Sequence, residues 1–242
     1  RGMDMMARYG REPWFRLGDM DMATHVLRTQ MLAEGRTLTY ATADLAAALG
    51  IPSSILPMCD EPVETMIETE DGILAFQDYF VRRHHADQVR GITFKGVEAA
   101  RPAPGVLDAI REAEAIVFCP SNPFVSIGPI LAVPGLRDAL EASGAPKVAI
   151  SPIVGGAALK GPAADMMGAL GHEVSAAGVA AIMLGLVDGM VIDTTDEQLA
   201  RSIVAMGMEV GVAQTIMKSD EDRESLARTT LQFCEQLARS RA

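Results

Sequence analysis

From Pro102 onward, short apolar runs alternate with amphipathic ones, and few folds tolerate that pattern. "PGVLDAIREA" has helical spacing, and "AIVFCP" follows as a short apolar run. "PGLRDALEASG" is again helical, and "KVAISPIVGG" again apolar. "ADMMGALG" and "VAAIMLGLV" read as helices, "GMVIDTTD" as a strand, "EQLARSIVAMG" as a helix and "EVGVAQTIM" as a strand. "DEDRESLARTTLQFCEQLARS" closes the chain as a helix. A strand that is apolar throughout has both faces buried, which is the mark of a parallel sheet. Strands alternating with helices give an α/β fold whose mostly parallel sheet carries helices on both faces. In such sheets, ligands bind beyond the carboxyl ends of the strands. The segments "CPSNP", "SPIVGG" and "DTTD" therefore fall on the expected functional rim.

The first part of the chain reads differently. Residues 1–50 are helical in pattern. Asp19 is the expected N-cap of the helix in "DMDMATHVLRTQMLAEG", Asp21 an acidic first-turn residue and Gly35 its stop. A second helix in "TYATADLAAALG" starts at Thr39 or Thr42 and ends at Gly50. Residues 55–97 are β-rich: two runs flank Asp71-Gly72, a hairpin signal, and "VRGITFKG" adds a strand. The expected division is 1–97, a helical segment with a small β-rich insertion, and 98–242, the α/β region, packed as one compact domain.

The net charge of −11 argues against a general nucleic-acid role, which needs a basic footprint. Backbone amides can still form a local anion site without net positive charge. Cys59, Cys119 and Cys234 are too few and too scattered for a disulfide framework or a zinc cluster, so a reducing cytoplasm is expected. No apolar run reaches the roughly 18 residues of a membrane span.

The rim carries the chemistry. In "PSNPFVSIGPILAVPG", Pro120 and Pro123 fix the backbone, and Ser121 and Asn122 add short polar groups. Ser126, Ile127 and Gly128 could present successive amides to an anion, with Gly128 allowing close approach. The alternative is a strand-to-helix turn that Ser and Asn merely cap. In "SPIVGGAALKGPAADMM", Gly155 and Gly156 end a strand and Lys160 is a lone cation. That suits a phosphate or nucleotide, or equally an exposed lysine on a turn; neither a Walker A loop nor a G-x-G-x-x-G fingerprint is present. Asp21, Thr24, His25 and Arg28 share a helix face, either a solvated polar face or a substrate face. The Asp19–Asp21 pair alone is no Mg²⁺ site. Asp60, Glu61 and Glu64 read as edge-loop carboxylates, His84 and His85 as residues at a strand end. Ser219 with Asp222 reads as a capping box. Cys119 lacks a base nearby in sequence and is not read as a nucleophile.

Taken in order, "WFRLGDMDMATHVLRTQML" (14–32), "ILPMCDEPVET" (55–65) and "FQDYFVRR" (76–83) resemble one family. "PAPGVLDAI", "PSNPFVSIGPILAVPGLR", "SPIVGGAALKGPAADMM" and "TIMKSDEDR" continue the resemblance along nearly the whole chain. The family is that of the 2-phospho-L-lactate transferases, called CofD in archaea and FbiA in actinobacteria. The resemblance implies a Rossmann-like fold and a cytoplasmic, Mg²⁺-dependent enzyme transferring a substituted phosphate group. That enzyme moves a phospholactyl or phosphoenolpyruvyl group from a guanosine-diphosphate-linked donor to the deazaflavin Fo, releasing GMP, in coenzyme F-420 biosynthesis. It further implies a homodimer with small-molecule substrates and no membrane or nucleic-acid partner. Ser121, Asn122, Ser126 and Gly128 would hold the donor, and Gly155, Gly156 and Lys160 would line the nucleotide site. Asp19, Asp21 and His25 would act catalytically, with Thr24 beside them and Arg1 near the deazaflavin. No residue is assigned to the metal.

The sequence also departs from that pattern. Family members open with a strand, a "GGTGG"-like loop and an "NTGDD"-like motif, and none of these occurs here. A truncated family member with little transferase activity on its own, its first strand or strands absent, is the resulting expectation. The rival reading is a non-catalytic nucleotide-sugar-binding regulator of the CofD-like group, because "SIGPI" is similar to that group's "SIIPN"-type loop.

Overall fold

The computed structural model describes residues 2–10, 14, 15 and 17–241. Three helices come first: α1 (Gly2–Arg8), α2 (Asp19–Ala33) and α3 (Leu38–Ala48). Gly18, not Asp19, caps α2. Gly18 is extended, with φ −66° and ψ 159°, and its N–H donates to the Asp21 carboxylate at 3.3 Å, so Asp19 becomes the first helical residue. The second helix likewise begins earlier than Thr39. The Thr37 hydroxyl accepts from the Tyr40 N–H at 3.1 Å and caps α3. Thr39 is tied instead to Asp60, donating its N–H and its hydroxyl to one carboxylate oxygen at 2.7 and 2.8 Å. Asp60 is thus an anchor for α3.

A small antiparallel sheet follows, ordered β2-β1-β3, from β1 (Glu64–Thr69), β2 (Gly72–Ala75) and β3 (Val89–Lys95). The expected hairpin is present, with Thr69 paired to Gly72, so that Glu70 and Asp71 form the turn. Beyond Ala75 the strand expectation fails. Asp78–Arg82 is a π-turn, closed by His84 and His85 at positive φ (52° and 46°). An aromatic-rich run there reads as strand, but the wider turn sends Tyr79 inward, where it is 1% exposed, among Ile67, Val89 and Met166. Phe124, Val125 and Leu170 pack against the same cluster, welding the small sheet to the larger layer.

The main sheet is parallel and ordered β4-β5-β8-β9. It is built from α4 (Val106–Glu112), β4 (Ile116–Phe118), α5 (Gly128–Ala132), α6 (Leu136–Ala142) and β5 (Lys147–Ile150). A short hairpin, β6 (Ile153–Val154) and β7 (Ala157–Ala158), interrupts before α7 (Ala163–Ala169) and α8 (Ala176–Ile182). Then come β8 (Gly189–Asp193), α9 (Ala200–Ala205), β9 (Glu209–Ala213) and α10 (Asp220–Arg241). Each new strand adds on the same side of the last. Right-handed crossovers then place the connecting helices on one face, and the alternation of side chains shows this. Ala149, Met190 and Ile192 pack with Leu140, Met167, Val179 and Ile203 on the crossover face. Val148, Ile150 and Val191 point the other way, onto Leu226, Cys234 and Leu237 of α10. Helices therefore cover both faces, as the apolar runs require. Each large apolar side chain so buried contributes about 1.5–3 kcal/mol.

The start of α10 is the reciprocal capping box expected. The Ser219 N–H donates to Asp222 at 2.9 Å and the Asp222 N–H to the Ser219 hydroxyl at 3.2 Å. Phe233 of α10 lies so close over β8 that a Cβ on Gly189 would meet its ring at 2.8 Å.

Candidate functional site

A cavity of about 480 Å³ opens where the sheet argument placed it, beyond the carboxyl ends of the parallel strands. That size suits a small organic ligand. Pro120, Ser121 and Asn122 reach it from the end of β4, and Val125 and Ser126 from the turn that follows. Ser151, Pro152, Leu159 and Lys160 come from the segment after β5, Thr215 and Met217 from the segment after β9. Phe76 and Phe80 close it from the small β-sheet region. β4 and β9 are the two edges of the main sheet, about 14 Å apart at three strand spacings, so the cavity spans its whole rim.

Two π-turns meet here, Asp78–Arg82 and Pro123–Ile127. Such turns are rare and concentrate at functional sites. Asn122 caps the second, its side-chain oxygen accepting from the N–H of Phe124 at 2.9 Å and of Val125 at 3.3 Å. Its carbonyl accepts from the N–H of Ser126 at 3.1 Å and of Ile127 at 3.2 Å, and the Gly128 N–H donates to Pro123. The amides of Ser126, Ile127 and Gly128 are therefore satisfied within the turn, and the expected nest of successive free amides is not formed. What remains open are the hydroxyls of Ser121 and Ser126 and the Lys160 ammonium, which have no partner among the described residues. Gly128 lies outside the lining. A Cβ there would stand 3.1 Å from the Phe94 ring and 3.3 Å from the Pro123 carbonyl, so its missing side chain serves packing.

Gly155 and Gly156 also lie outside the lining. They form the two-residue loop between β6 and β7, at φ +59° and +76°, a turn that needs left-handed residues. The Gly155 N–H donates to both oxygens of buried Asp196, at 3.0 and 3.2 Å, which pins the hairpin to the segment after β8. These glycines thus set the path of the chain that leads to Lys160.

The polar face of α2 is not brought to the cavity. No residue of α2 is buried. Thr24 donates to the Met20 carbonyl at 3.2 Å, and the His25 ring nitrogen meets Arg28 at 2.6 Å. Asp19 and Asp21 sit in the first turn. Arg1 lies outside the described residues.

Sequence reasoning gave no site role to Phe76, Phe80 or Thr215, and placed Asp193 on the rim only as part of "DTTD". Phe76 and Phe80 stack in parallel at 5.5 Å, and Phe80 stacks on His85 at 5.7 Å, giving the cavity a flat aromatic wall. Thr215 lines the cavity elsewhere, held from behind by Asp193. Asp193 is 1% exposed at the end of β8. One of its oxygens accepts the N–H and the hydroxyl of Thr215 at 2.8 and 3.0 Å, and the other accepts the Thr195 N–H at 2.9 Å. Burial alone would raise the Asp193 carboxyl. The Thr195 and Thr215 donors outweigh it and hold the group below the usual carboxylate range. A depressed folded-state value means that the stabilisation is complete above about pH 4 and is lost as pH falls through that depressed value. Asp193→Asn is therefore expected to lose stability at pH 7 and to lie closer to the parent protein at pH 3. Urea unfolding at the two pH values reads this, and an unchanged gap would refute the ionised contribution.

No His, Cys, Asp or Glu belongs to the lining among the described residues, so its serine hydroxyls have no imidazole or carboxylate there to activate them. No group of three such side chains is placed to hold a metal ion among the described residues. Asp193, behind the lining residue Thr215, is committed to threonines. The described residues do not by themselves make a Mg²⁺ site. The thiols of Cys59 and Cys234 are pushed up by burial, and both are structural. No helix among the described residues is long and apolar enough to cross a membrane.

Comparison with known proteins follows the same line. Residues 1–233 match the family described as 2-phospho-L-lactate transferase CofD. A phosphoenolpyruvate transferase of Kitasatospora aureofaciens is 44% identical, the match covering 96% of this chain and 74% of that protein. A 2-phospho-L-lactate transferase of Methanosarcina mazei is 40% identical over 95% of this chain and 75% of that one. The chain thus spans about three quarters of the length of these curated relatives. A solved structure of a UPF0052 family member from Bacillus halodurans superposes with a TM-score of 0.58 at 19% identity, covering 81% of this chain and 66% of that chain. That last likeness concerns the fold alone.

Proposed function

The chain belongs to the CofD family of 2-phospho-L-lactate transferases, and from that premise we propose its reaction in full. A 2-phospho-L-lactyl or phosphoenolpyruvyl group moves from a guanosine-diphosphate-linked donor to the deazaflavin Fo, giving F-420-0 or its dehydro form and GMP. The Fo side-chain hydroxyl attacks the phosphorus that carries the three-carbon acid. The new P–O bond forms as the bridging P–O bond to GMP breaks, and the hydroxyl proton passes to a phosphate oxygen or to water. No covalent enzyme intermediate is required, and catalysis is positioning plus charge neutralisation.

The observation that carries this reading is the lining itself. It offers one ammonium and two free hydroxyls for a diphosphate, with no imidazole or carboxylate beside them. The Phe76–Phe80 wall suits a flat ring system such as a deazaflavin. Mg²⁺ would have to be carried by the oxygens of the donor's diphosphate, and no step is routed through it. The homodimer and the cytoplasmic location remain parts of the proposal. No contact carries Asp19, Asp21, Thr24 or His25 to the cavity, so the reading rests on Ser121, Ser126, Lys160 and the aromatic wall.

Thermal unfolding with separate additions of guanosine diphosphate, Fo and uridine-diphosphate sugars tests this. Guanosine diphosphate and Fo should each raise the midpoint, by about 2.7 kcal/mol of stabilisation at a hundredfold excess over the dissociation constant. Stabilisation by the uridine sugars alone would point to the nucleotide-sugar regulator instead.

A further inference from the structure

The two ends of the cavity differ in charge and in hydrogen-bonding sense. At the β4 edge, the hydroxyls of Ser121 and Ser126 are free; Lys160, the cation of the lining, follows the β6–β7 hairpin. At the β9 edge, Thr215 is spent as a donor: both its N–H and its hydroxyl hydrogen go to Asp193. Only hydroxyl lone pairs are left to Thr215, and an anion stands directly behind it. Asp193 and Asp196 are both buried there, and the partners that hold them are backbone N–H and threonine hydroxyl donors. A phosphate at this end would meet an acceptor backed by a negative charge in a poorly screened position. A group that donates hydrogen bonds would be satisfied.

We infer that Asp193 is a positioning residue that turns Thr215 into an acceptor, making the β9 end the subsite for a hydroxyl or N–H donor of the nucleoside, with the diphosphate held away from Thr215. This rests on the proposed function and adds the direction in which the donor lies. The Asp193 carboxyl, held ionised by its threonine donors, keeps that polarity over the neutral pH range.

Calorimetric titration of the full chain with guanosine diphosphate and with inorganic pyrophosphate tests it. Thr215→Val should weaken guanosine diphosphate about tenfold, the loss of one hydrogen bond, and leave pyrophosphate within about twofold. Thr215→Ser should restore the nucleotide. Asp193→Asn should bind pyrophosphate several-fold more tightly, on the order of fivefold, because an anion is removed, whereas structural damage would weaken both ligands. Equal binding of guanosine diphosphate by the parent and Thr215→Val, a parallel loss of both ligands, or weaker pyrophosphate binding by Asp193→Asn would overturn the inference alone. A parent protein that binds neither ligand would overturn the proposed function along with it, so the two failures are distinct.

Discussion

Gly178→Ala is expected to destabilise the protein by about 3–5 kcal/mol, although it places a better helix former inside a helix. A Cβ at Gly178 would lie 1.9 Å from the Glu173 carbonyl oxygen, 2.8 Å from its carbon and 3.1 Å from the Met167 side-chain terminus. The first two are backbone atoms and cannot rotate away. The segment before α8 curls tightly over its first turn because Ser175 caps it. Its hydroxyl accepts from the Gly178 N–H at 3.0 Å and donates to the Glu173 carboxylate at 2.6 Å. Making room for a methyl group means moving that segment and stretching the cap, which by itself contributes about 1 kcal/mol. Alternatively α8 shifts, but Ala176, Ala177, Val179 and Ala180 are all buried against the crossover face. The gain in helix propensity, about 1 kcal/mol, offsets only part of this. Gly168 in α7 is the internal control. A Cβ there meets only a Val174 methyl at 3.7 Å, so Gly168→Ala should be neutral or stabilising by up to about 1 kcal/mol. Chemical denaturation of both variants measures the contrast, and equal effects would show that the close approach at Gly178 does not matter.

Much of this architecture is legible in the sequence because burial on both faces leaves a simple trace. The runs "AIVFC", "KVAI" and "GMVID" become β4, β5 and β8, and their loops become the rim. Ser121, Asn122, Ser126 and Lys160 line the cavity for that reason. The rest depends on relations that local pattern does not encode. Residues 76–83 follow a β-strand and are rich in aromatics, so they read as its continuation, yet Asp78–Arg82 form a π-turn that carries Phe80 to the site. Which amides of the Pro-Ser-Asn-Pro segment remain free follows from the Asn122 cap, and only coordinates reveal that they are spent. Thr215 was hidden because it matters through Asp193, 22 residues earlier on the neighbouring strand. Conversely, the polar face of α2 is conspicuous in sequence, but that helix buries none of its residues.

Lys160→Met is expected to weaken guanosine diphosphate binding by about 10- to 100-fold while leaving guanosine binding within about twofold. Methionine keeps the unbranched length and removes only the charge. The chain carries a net −11, so an approaching diphosphate is repelled at long range and needs a local cation to be held. Lys160 is the only cationic residue of the lining among the described residues, and its ammonium has no carboxylate partner. A hydrogen bond to a charged group contributes about 1.5–3 kcal/mol, which corresponds to that range of affinity. Its position is fixed from both sides. The β6–β7 hairpin, pinned by Asp196, precedes it, and Gly161 at φ +77° turns the chain immediately after it into Pro162. Because Lys160 is exposed, its attraction is screened by salt. The parent protein should therefore lose affinity between 50 and 200 mM salt, taken as roughly a twofold change in Debye length, and Lys160→Met should lose less. Lys160→Arg should retain most of the binding, since the charge remains. Titration with guanosine diphosphate and guanosine at the two salt concentrations separates these outcomes. Unaltered nucleotide affinity in Lys160→Met, or an equal loss for uncharged guanosine, would remove the diphosphate from this end of the cavity.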